Sequence, residues 1–285
     1  MKNTVLFLLA ILPTVLMTSC LGNDEINSTA QYNQRMVHIK NSNGEVSLHN
    51  ATYRFDIDYT DGLIDITVYD ESIYAAAFSI LDIPLTYSNE LGYTFRTTAA
   101  TPVDGNGAAI SDLTITDLYG GNTLAMRYTV NSTTTIVSIP SATTYGFTDI
   151  STVGSDGTTY NYDESSVSMS YRITTDSALV DMTLTNIKFV DNMPVIQTMT
   201  FPSIEVAPSS SGTSLQLSAD EIIPQISNTP YPDYKITNFS GRVDPSFNAF
   251  EYFINENMTS SFNCMNMNVQ LDARMFSSNN DNSSN

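Results

Sequence analysis

Tyr53-Arg54-Phe55-Asp56-Ile57-Asp58-Tyr59-Thr60-Asp61-Gly62-Leu63-Ile64-Asp65-Ile66-Thr67-Val68-Tyr69 decides the fold class. Side chains along an extended strand alternate between its two faces. Tyr53, Phe55, Ile57 and Tyr59 therefore share one face, and the charged residues take the other. Thr60-Asp61-Gly62 supplies turn chemistry, with Gly62 free to adopt positive φ. Leu63 to Tyr69 follows as a second run rich in β-branched residues. Together they predict a β-hairpin. Similar runs occur at Tyr93–Thr97, Leu113–Tyr119, Ala125–Val130 and Thr135–Ile139. Helical periodicity is weak after the N-terminal segment. Its best candidate, Ser72 to Leu81 through Ala75-Ala76-Ala77, reads as a loop feeding a strand.

The hairpin recurs further along. Tyr53-Arg54 returns as Tyr171-Arg172, and Leu63-Ile64-Asp65-Ile66-Thr67-Val68 as Leu179-Val180-Asp181-Met182-Thr183-Leu184. Ile83-Pro84 returns as Phe201-Pro202, which puts Pro84 and Pro202 at equivalent edge, bulge or strand-start positions. Asp112 to Gly120 returns as Asp233 to Gly241. Four blocks in one order, with length changes confined to turns, imply a duplicated unit of domain size. The chain is therefore all-β, with a first domain over 35–140 and a second over 165–274. Each forms an antiparallel barrel or a sandwich. Residues 141–164, rich in Ser, Thr, Gly and Asp, read as a linker. Residues 275–285 read as a disordered tail.

Charge narrows the function. The 285 residues hold 30 acids against 11 bases, for a net charge of -19. Phosphate binding needs clustered Lys and Arg, so a nucleic-acid partner is excluded. Adsorption to anionic lipid is disfavoured for the same reason. Only 14% of residues are charged, so Ser, Thr and Asn make much of the polar surface.

The N-terminus gives an address. Lys2 precedes an apolar run from Val5 to Met17, and Thr18-Ser19 leads into Cys20. This order marks residues 1–19 as a secretory signal, too short for a convincing membrane span. The exit Leu16-Met17-Thr18-Ser19-Cys20 resembles a bacterial lipobox. That resemblance implies that Cys20 becomes the mature N-terminus and carries several acyl chains, palmitate among them, enough for stable anchoring. Cys264 is then left without an intramolecular partner. Asp24 and Glu25 lie within five residues of Cys20 and resemble the acidic surface-export signal of Bacteroidetes lipoproteins. Residues 20–34 read as a flexible acidic tether. The expected location is the outer membrane, lipid-anchored and displayed at the cell surface, with the periplasmic face as the alternative.

A second resemblance rests on Ile187-Lys188-Phe189-Val190-Asp191-Asn192-Met193-Pro194, Thr200-Phe201-Pro202-Ser203-Ile204, Asp220-Glu221-Ile222-Ile223-Pro224 and Tyr231-Pro232-Asp233-Tyr234-Lys235-Ile236-Thr237-Asn238-Phe239-Ser240-Gly241. These are similar to the calycin-like, lipocalin-related β-barrel lipoproteins of Bacteroidetes. The likeness covers about 80 residues of the second copy. It departs in the first, where Ala75-Ala76-Ala77 stands in place of Asp191-Asn192-Met193. It implies tandem calycin-like barrels and assigns no catalytic residue.

Candidate chemistry is sparse. The only histidines, His38 and His49, flank a hairpin around Asn43-Gly44 and read as exposed strand residues rather than a metal pair. No Gly-x-Ser-x-Gly elbow occurs. Asp56, Asp58, Asp61 and Asp65 form the densest acid cluster and read as a solvated face, without the calcium-loop order. There is no Trp, while Tyr numbers 16. Most tyrosines fall on core faces, whereas Tyr231 and Tyr234, beside Pro230 and Pro232, read as a contact surface. Asp176-Ser177-Ala178 resembles a Bacteroidetes O-glycosylation acceptor. These features lead to an expected non-enzymatic envelope lipoprotein without metal or cofactor. It binds a small apolar molecule or a glycan; the alternative is an adhesion or structural protein acting through its outer faces.

Overall fold

In a computed structural model, residues 29–88, 92–121, 124–174, 176–209, 214–248 and 253–274 are described. Strands β1 (Thr29–Lys40), β2 (Val46–Asp58), β3 (Leu63–Tyr69), β4 (Phe78–Ser88), β5 (Gly92–Ala100), β6 (Ile115–Gly121), β7 (Met126–Val130) and β8 (Thr134–Pro140) close into an antiparallel barrel. Each pairs with its sequence neighbour, and β1 pairs with β8 to finish the ring.

A second ring repeats this order. It uses β9 (Ala142–Val153), β10 (Thr159–Ile173), β11 (Ala178–Ile187), β12 (Ile196–Pro208), β13 (Leu215–Ile222), β16 (Ile236–Asn248), β17 (Phe253–Cys264) and β18 (Met267–Arg274). The β11–β12 and β18–β9 ladders close it. A short hairpin, β14 (Gln225–Ile226) and β15 (Thr229–Pro230), hangs from β12, and a 3-10 turn (Pro232–Tyr234) leads into β16. The chain is thus two eight-stranded antiparallel barrels in tandem, which excludes the sandwich alternative. No α-helix occurs among the described residues.

Residues 141–164 differ from the expected linker. They hold β9 and the start of β10. Their Ser/Thr-rich composition reflects a strand with one solvated face: Thr143, Tyr145, Thr148, Ile150 and Thr152 are buried while their neighbours face out. The connection itself is Ser141. Its N–H donates to the Gln34 carbonyl at 2.9 Å, and its carbonyl accepts from Tyr171 N–H at 2.8 Å. It ends one ladder and begins the next. Similarly, residues 29–34 of the expected tether belong to β1 and pair with β2. Ser72 to Leu81 is a turn followed by β4, as expected.

The repeat is strand for strand, with two corrections. Val68 matches Leu184, so Tyr53-Arg54 corresponds to Val167-Ser168 and Tyr171 to Ile57, because the second hairpin extends its ladder further towards the turn. The ladder Ile64–Ile83 matches Val180–Ile204, and Ile66–Ile80 matches Met182–Phe201. Phe201 therefore corresponds to Ile80, not Ile83, and Pro84 and Pro202 are not equivalent. A bulge intervenes. Asp82 (φ 55) and Ser203 (φ 56) are its left-handed residues. Asp65 accepts the Asp82 N–H at 2.7 Å, and Asp181 accepts the Ser203 N–H at 2.8 Å. The repeated Asp thus holds the repeated bulge. Asp117 (φ 50) and Asn238 (φ 53) mark a second matched bulge.

Just beyond each second bulge stands a glycine. A Cβ on Gly120 would collide with the Phe95 ring and lie 2.8 Å from the Ala125 carbonyl oxygen, both unable to yield cheaply. Gly241 is less confined, with neighbours at 3.1–3.3 Å, and Gly146 meets nothing within 4 Å. Gly120→Ala should lower stability by about 1–3 kcal/mol through overpacking. Gly241→Ala should cost less and Gly146→Ala nothing measurable. Urea unfolding of the three variants checks that order.

Candidate functional site

Whether the barrels hold a ligand depends on what fills them. Inside the first, Arg35 is fully buried. Its Nε donates to Ser138 Oγ at 2.6 Å, and its Nη2 donates to the carbonyl oxygens of Ser138, at 2.7 Å, and Leu124. Its guanidinium lies 5.5 Å from the Tyr53 ring centre and 5.2 Å from that of Phe55, within cation–π range. The Tyr53 and Tyr128 hydroxyls meet at 2.7 Å. Burial raises both phenols far above the ordinary range. Tyr53, Phe55, Phe78, Phe95 and Tyr128 are at most 1% exposed. They border no space for a guest.

Register places Thr148, Val167, Leu271 and Phe262 in the second barrel where Arg35, Tyr53, Ser138 and Tyr128 stand in the first. The polar cluster is replaced by a mostly apolar set. Phe262 packs edge-on to Phe201 at 5.3 Å and Phe189 at 6.1 Å, and stacks with Phe239 at 6.0 Å. This interior is also filled.

Concave surface lies outside. One groove of about 860 Å³ follows the outer wall of the second barrel. Two adjacent outward rows cross it. Gln216, Arg242, Thr259, Asp272 and Asp149 form one; Ser240, Ser261, Gln270, Ser151 and Asn161 form the other. Every side chain in these rows is polar. Between them the inward positions include Gly241 and Ser260, whose small size lets the wall pinch inward. Arg274 pairs with Asp149 and stands 3.9 Å from Asp272, so the facing carboxylates share a cation. A second groove, about 780 Å³, lies at one end of this barrel between the β9–β10 turn, the 3-10 turn and the β17–β18 turn.

Tyr231 and Tyr234 flank that end groove, through their neighbours Pro232 and Asp233. Their rings lie 6.3 Å apart. Tyr231 is exposed, but Tyr234 packs partly against the core. Val153 and Met265, which line the groove, are exposed as well. Cys264 is buried there, its Sγ 3.6 Å from the Tyr234 carbonyl, and burial pushes its thiol up to about 11. Cys20, Asp24, Glu25 and the 275–285 tail lie outside the described residues. Ser177 sits in the exposed β10–β11 turn, hydrogen-bonded to Thr174.

The histidines do not face each other: Val37 pairs with His49, and His38 with Leu48. His49 Nε2 instead meets Asp70 Oδ2 at 2.7 Å and Ser72 Oγ at 2.9 Å. A nucleophile relay needs the acid and the serine on opposite ring nitrogens. Here both meet one nitrogen, and Ser72 donates to Asp70 at 2.5 Å. The trio is built to hold a turn. The acid cluster is likewise occupied: Asp56 pairs with Arg54 at 2.8 Å, and Asp58 caps the β2–β3 turn through Thr60 and Asp61 N–H. No group of three metal-ligating side chains occurs among the described residues.

Two features escaped sequence reading. Arg35 shares the apolar face of Val37 and Ile39, and a charge on that face was the available signal. The tyrosine trio Tyr59, Tyr87 and Tyr93 meets only through the barrel. Tyr59 and Tyr93 stand 4.7 Å apart, and Tyr87 and Tyr93 5.0 Å. Burial, then Tyr93, raises the Tyr59 phenol.

No protein-family model matches the chain, and no curated protein matches it. Among solved structures, a protein described as "putative AttH" from Nitrosomonas europaea is 9% identical, with 94% of this chain and all of that one covered, at a TM-score of 0.19. A likeness that loose carries no argument.

Asp70 links this region to pH. Burial alone would raise its carboxyl, but the hydrogen bonds from His49 and Ser72, with the charge His49 carries when protonated, outweigh burial and hold it below the usual value. A depressed folded-state pKa gives stability that is present above the unfolded value, about 3.9, and lost as pH falls through the folded one. Asp70→Asn should therefore lower the urea midpoint at pH 7, and the deficit should shrink below about pH 4. Urea titrations at pH 7 and pH 3 check this.

Proposed function

We propose that this chain is a lipid-anchored envelope protein that binds a glycan on the outer wall of its second barrel and catalyses no reaction. The observation that carries the reading is the contrast between sealed interiors and an external groove crossed by two rows of polar side chains. Saturated sugar rings offer dense hydroxyls, and the wall offers matching donors and acceptors in Arg242, Gln270 and Asn161 and acceptors in Asp149 and Asp272. An apolar guest would need a concave apolar site, and the filled cores weigh against one. The His49–Asp70–Ser72 geometry supports the non-enzymatic reading.

The lipobox-like segment supports acylation at Cys20, and Asp24 and Glu25 favour surface display over the periplasmic face. The two barrels fit the calycin-like, Bacteroidetes lipoprotein resemblance. A second reading, adhesion through outer faces, draws on Val153, Tyr231 and Met265, three exposed apolar side chains at one end of the second barrel.

The mature chain should bind members of a glycan array and leave a fluorescent fatty-acid probe free. Asp272→Ala combined with Gln270→Ala should weaken glycan binding about tenfold, the equivalent of roughly 1.4 kcal/mol, without altering the unfolding midpoint. Binding of the fatty acid with an unresponsive wall would overturn the reading. Cys20→Ala should release the protein from membranes, and mass spectrometry of the wild type should find an acylated Cys20. An unmodified N-terminus downstream of Cys20 would overturn the anchor.

A further inference from the structure

The first barrel carries a feature that glycan binding by the second does not use. Ile57 and Phe95 point inward, and alternation continues the same face to Tyr59 beyond Ile57 and to Tyr93 before Phe95. Tyr87 pairs directly with Tyr93 across β4 and β5. The three rings thus form a rim at one mouth of the barrel. They approach at 4.7 Å and 5.0 Å with tilts of 49° and 54°, over the buried Ile57 and Phe95. Tyr87 is 60% exposed.

The chain enters the fold at this same mouth. Thr29, the first residue of β1, pairs with Ile57, two residues before Tyr59. Cys20 lies nine residues upstream. A tether of that length spans about 30 Å at most. A lipid on Cys20 would therefore bring this mouth, before any other part of the first barrel, to the bilayer.

We propose that Tyr59, Tyr87 and Tyr93 rest in the headgroup interface of a net-neutral, zwitterionic phospholipid bilayer and hold the barrel mouth against it. Tyrosine suits that depth, because its ring is apolar and its hydroxyl stays wet. Asp58 and Asp61 flank Tyr59, so anionic headgroups are repelled and zwitterionic ones tolerated. Three rings are too few to hold a soluble protein on a membrane. The tether supplies the high local concentration that makes a weak contact persist. The inference rests on the lipid-anchor reading only for what delivers the rim to the membrane.

The absence of tryptophan makes the test clean. Tyr87→Trp installs a single reporter at the rim, and Tyr231→Trp installs one on the second barrel. The mature chain, starting at Cys20, is coupled through the Cys20 thiol to a maleimide lipid in phosphatidylcholine vesicles containing brominated acyl chains. Buried Cys264 does not compete. The rim reporter should shift to the blue and be quenched well beyond the Tyr231→Trp reporter. Tyr59→Ser with Tyr93→Ser should abolish the excess, and so should replacing phosphatidylcholine by phosphatidylglycerol at low salt.

Equal quenching of the two reporters would overturn the proposal. So would a rim reporter that ignores vesicles but shifts with free oligosaccharide, the mark of a sugar platform. Because the coupling is chemical, failure of the rim is separable from failure of the anchor. A native chain lacking acyl groups by mass spectrometry sinks the anchor alone.

Discussion

One extended strand serves two hydrophobic cores, and the period-two alternation of its side chains governs the rest of the structure. In β8, Ile136 and Ser138 face the first barrel. Val137 and Ile139, on the other face, join the core cluster of the second. Past Ser141 the same face continues as Thr143 and Tyr145, now inside the second ring. No side chain changes face; the barrel axis does. A one-residue slip would send Val137 and Ile139 into the first core and Arg35's partner Ser138 out of it. The single-residue connection therefore sets the register of both barrels together. Tyr119, Ala125 and Leu48 pack into the same seam, and Asn50 Nδ2 donates to the Ile173 carbonyl at 2.7 Å.

The duplication explains what was legible. Blocks that repeat do so because a backbone position demands them. Asp65 and Asp181 each hold a left-handed bulge residue, and Gly120 and Gly241 each sit where a Cβ is crowded. Such demands survive divergence and show in sequence. The β1–β2 and β9–β10 turns are matched as closely, through Gly44 and Gly157 at φ 80. That match was readable in Asn43-Gly44 and Asp156-Gly157, but the second strand it belongs to is rich in Thr and Ser. Strand β9 buries Thr143, Thr148 and Thr152 where apolar residues are expected, so its composition imitates a linker. The Ile83/Phe201 alignment failed for a different reason: the shared bulge sets inward residues three apart, Ile80 and Ile83 in one copy and Phe201 and Ile204 in the other, and a proline follows the later one in the first copy but the earlier one in the second.

The candidate site was less legible than the fold. Individual tyrosines announce packing or exposure only through alternation, and alternation cannot say that Tyr59 and Tyr87, distant in sequence, will share a rim. The outer-wall rows are five strands deep. Each contributes one or two ordinary polar residues, and no single strand looks unusual. Only the ladder that aligns Gln216, Arg242, Thr259, Asp272 and Asp149 makes them a surface.

The two barrels solve one packing problem in different ways, and this bears on where function can reside. The first keeps a buried guanidinium, which costs several kcal/mol of desolvation unless it is well bonded. Ser138, two carbonyls and two aromatic faces meet that demand, and a core so committed cannot open for a guest without stranding the charge. The second replaces the charge with Thr148 and closes around four phenylalanines, whose edge-on contacts contribute about 1 kcal/mol each. Opening it would expose those rings to water. Both interiors thus resist the cavity that ligand-bearing barrels use, by electrostatics in one case and aromatic packing in the other. Recognition is left to surfaces that the cores merely hold in shape, the polar wall of the second barrel and the tyrosine rim of the first.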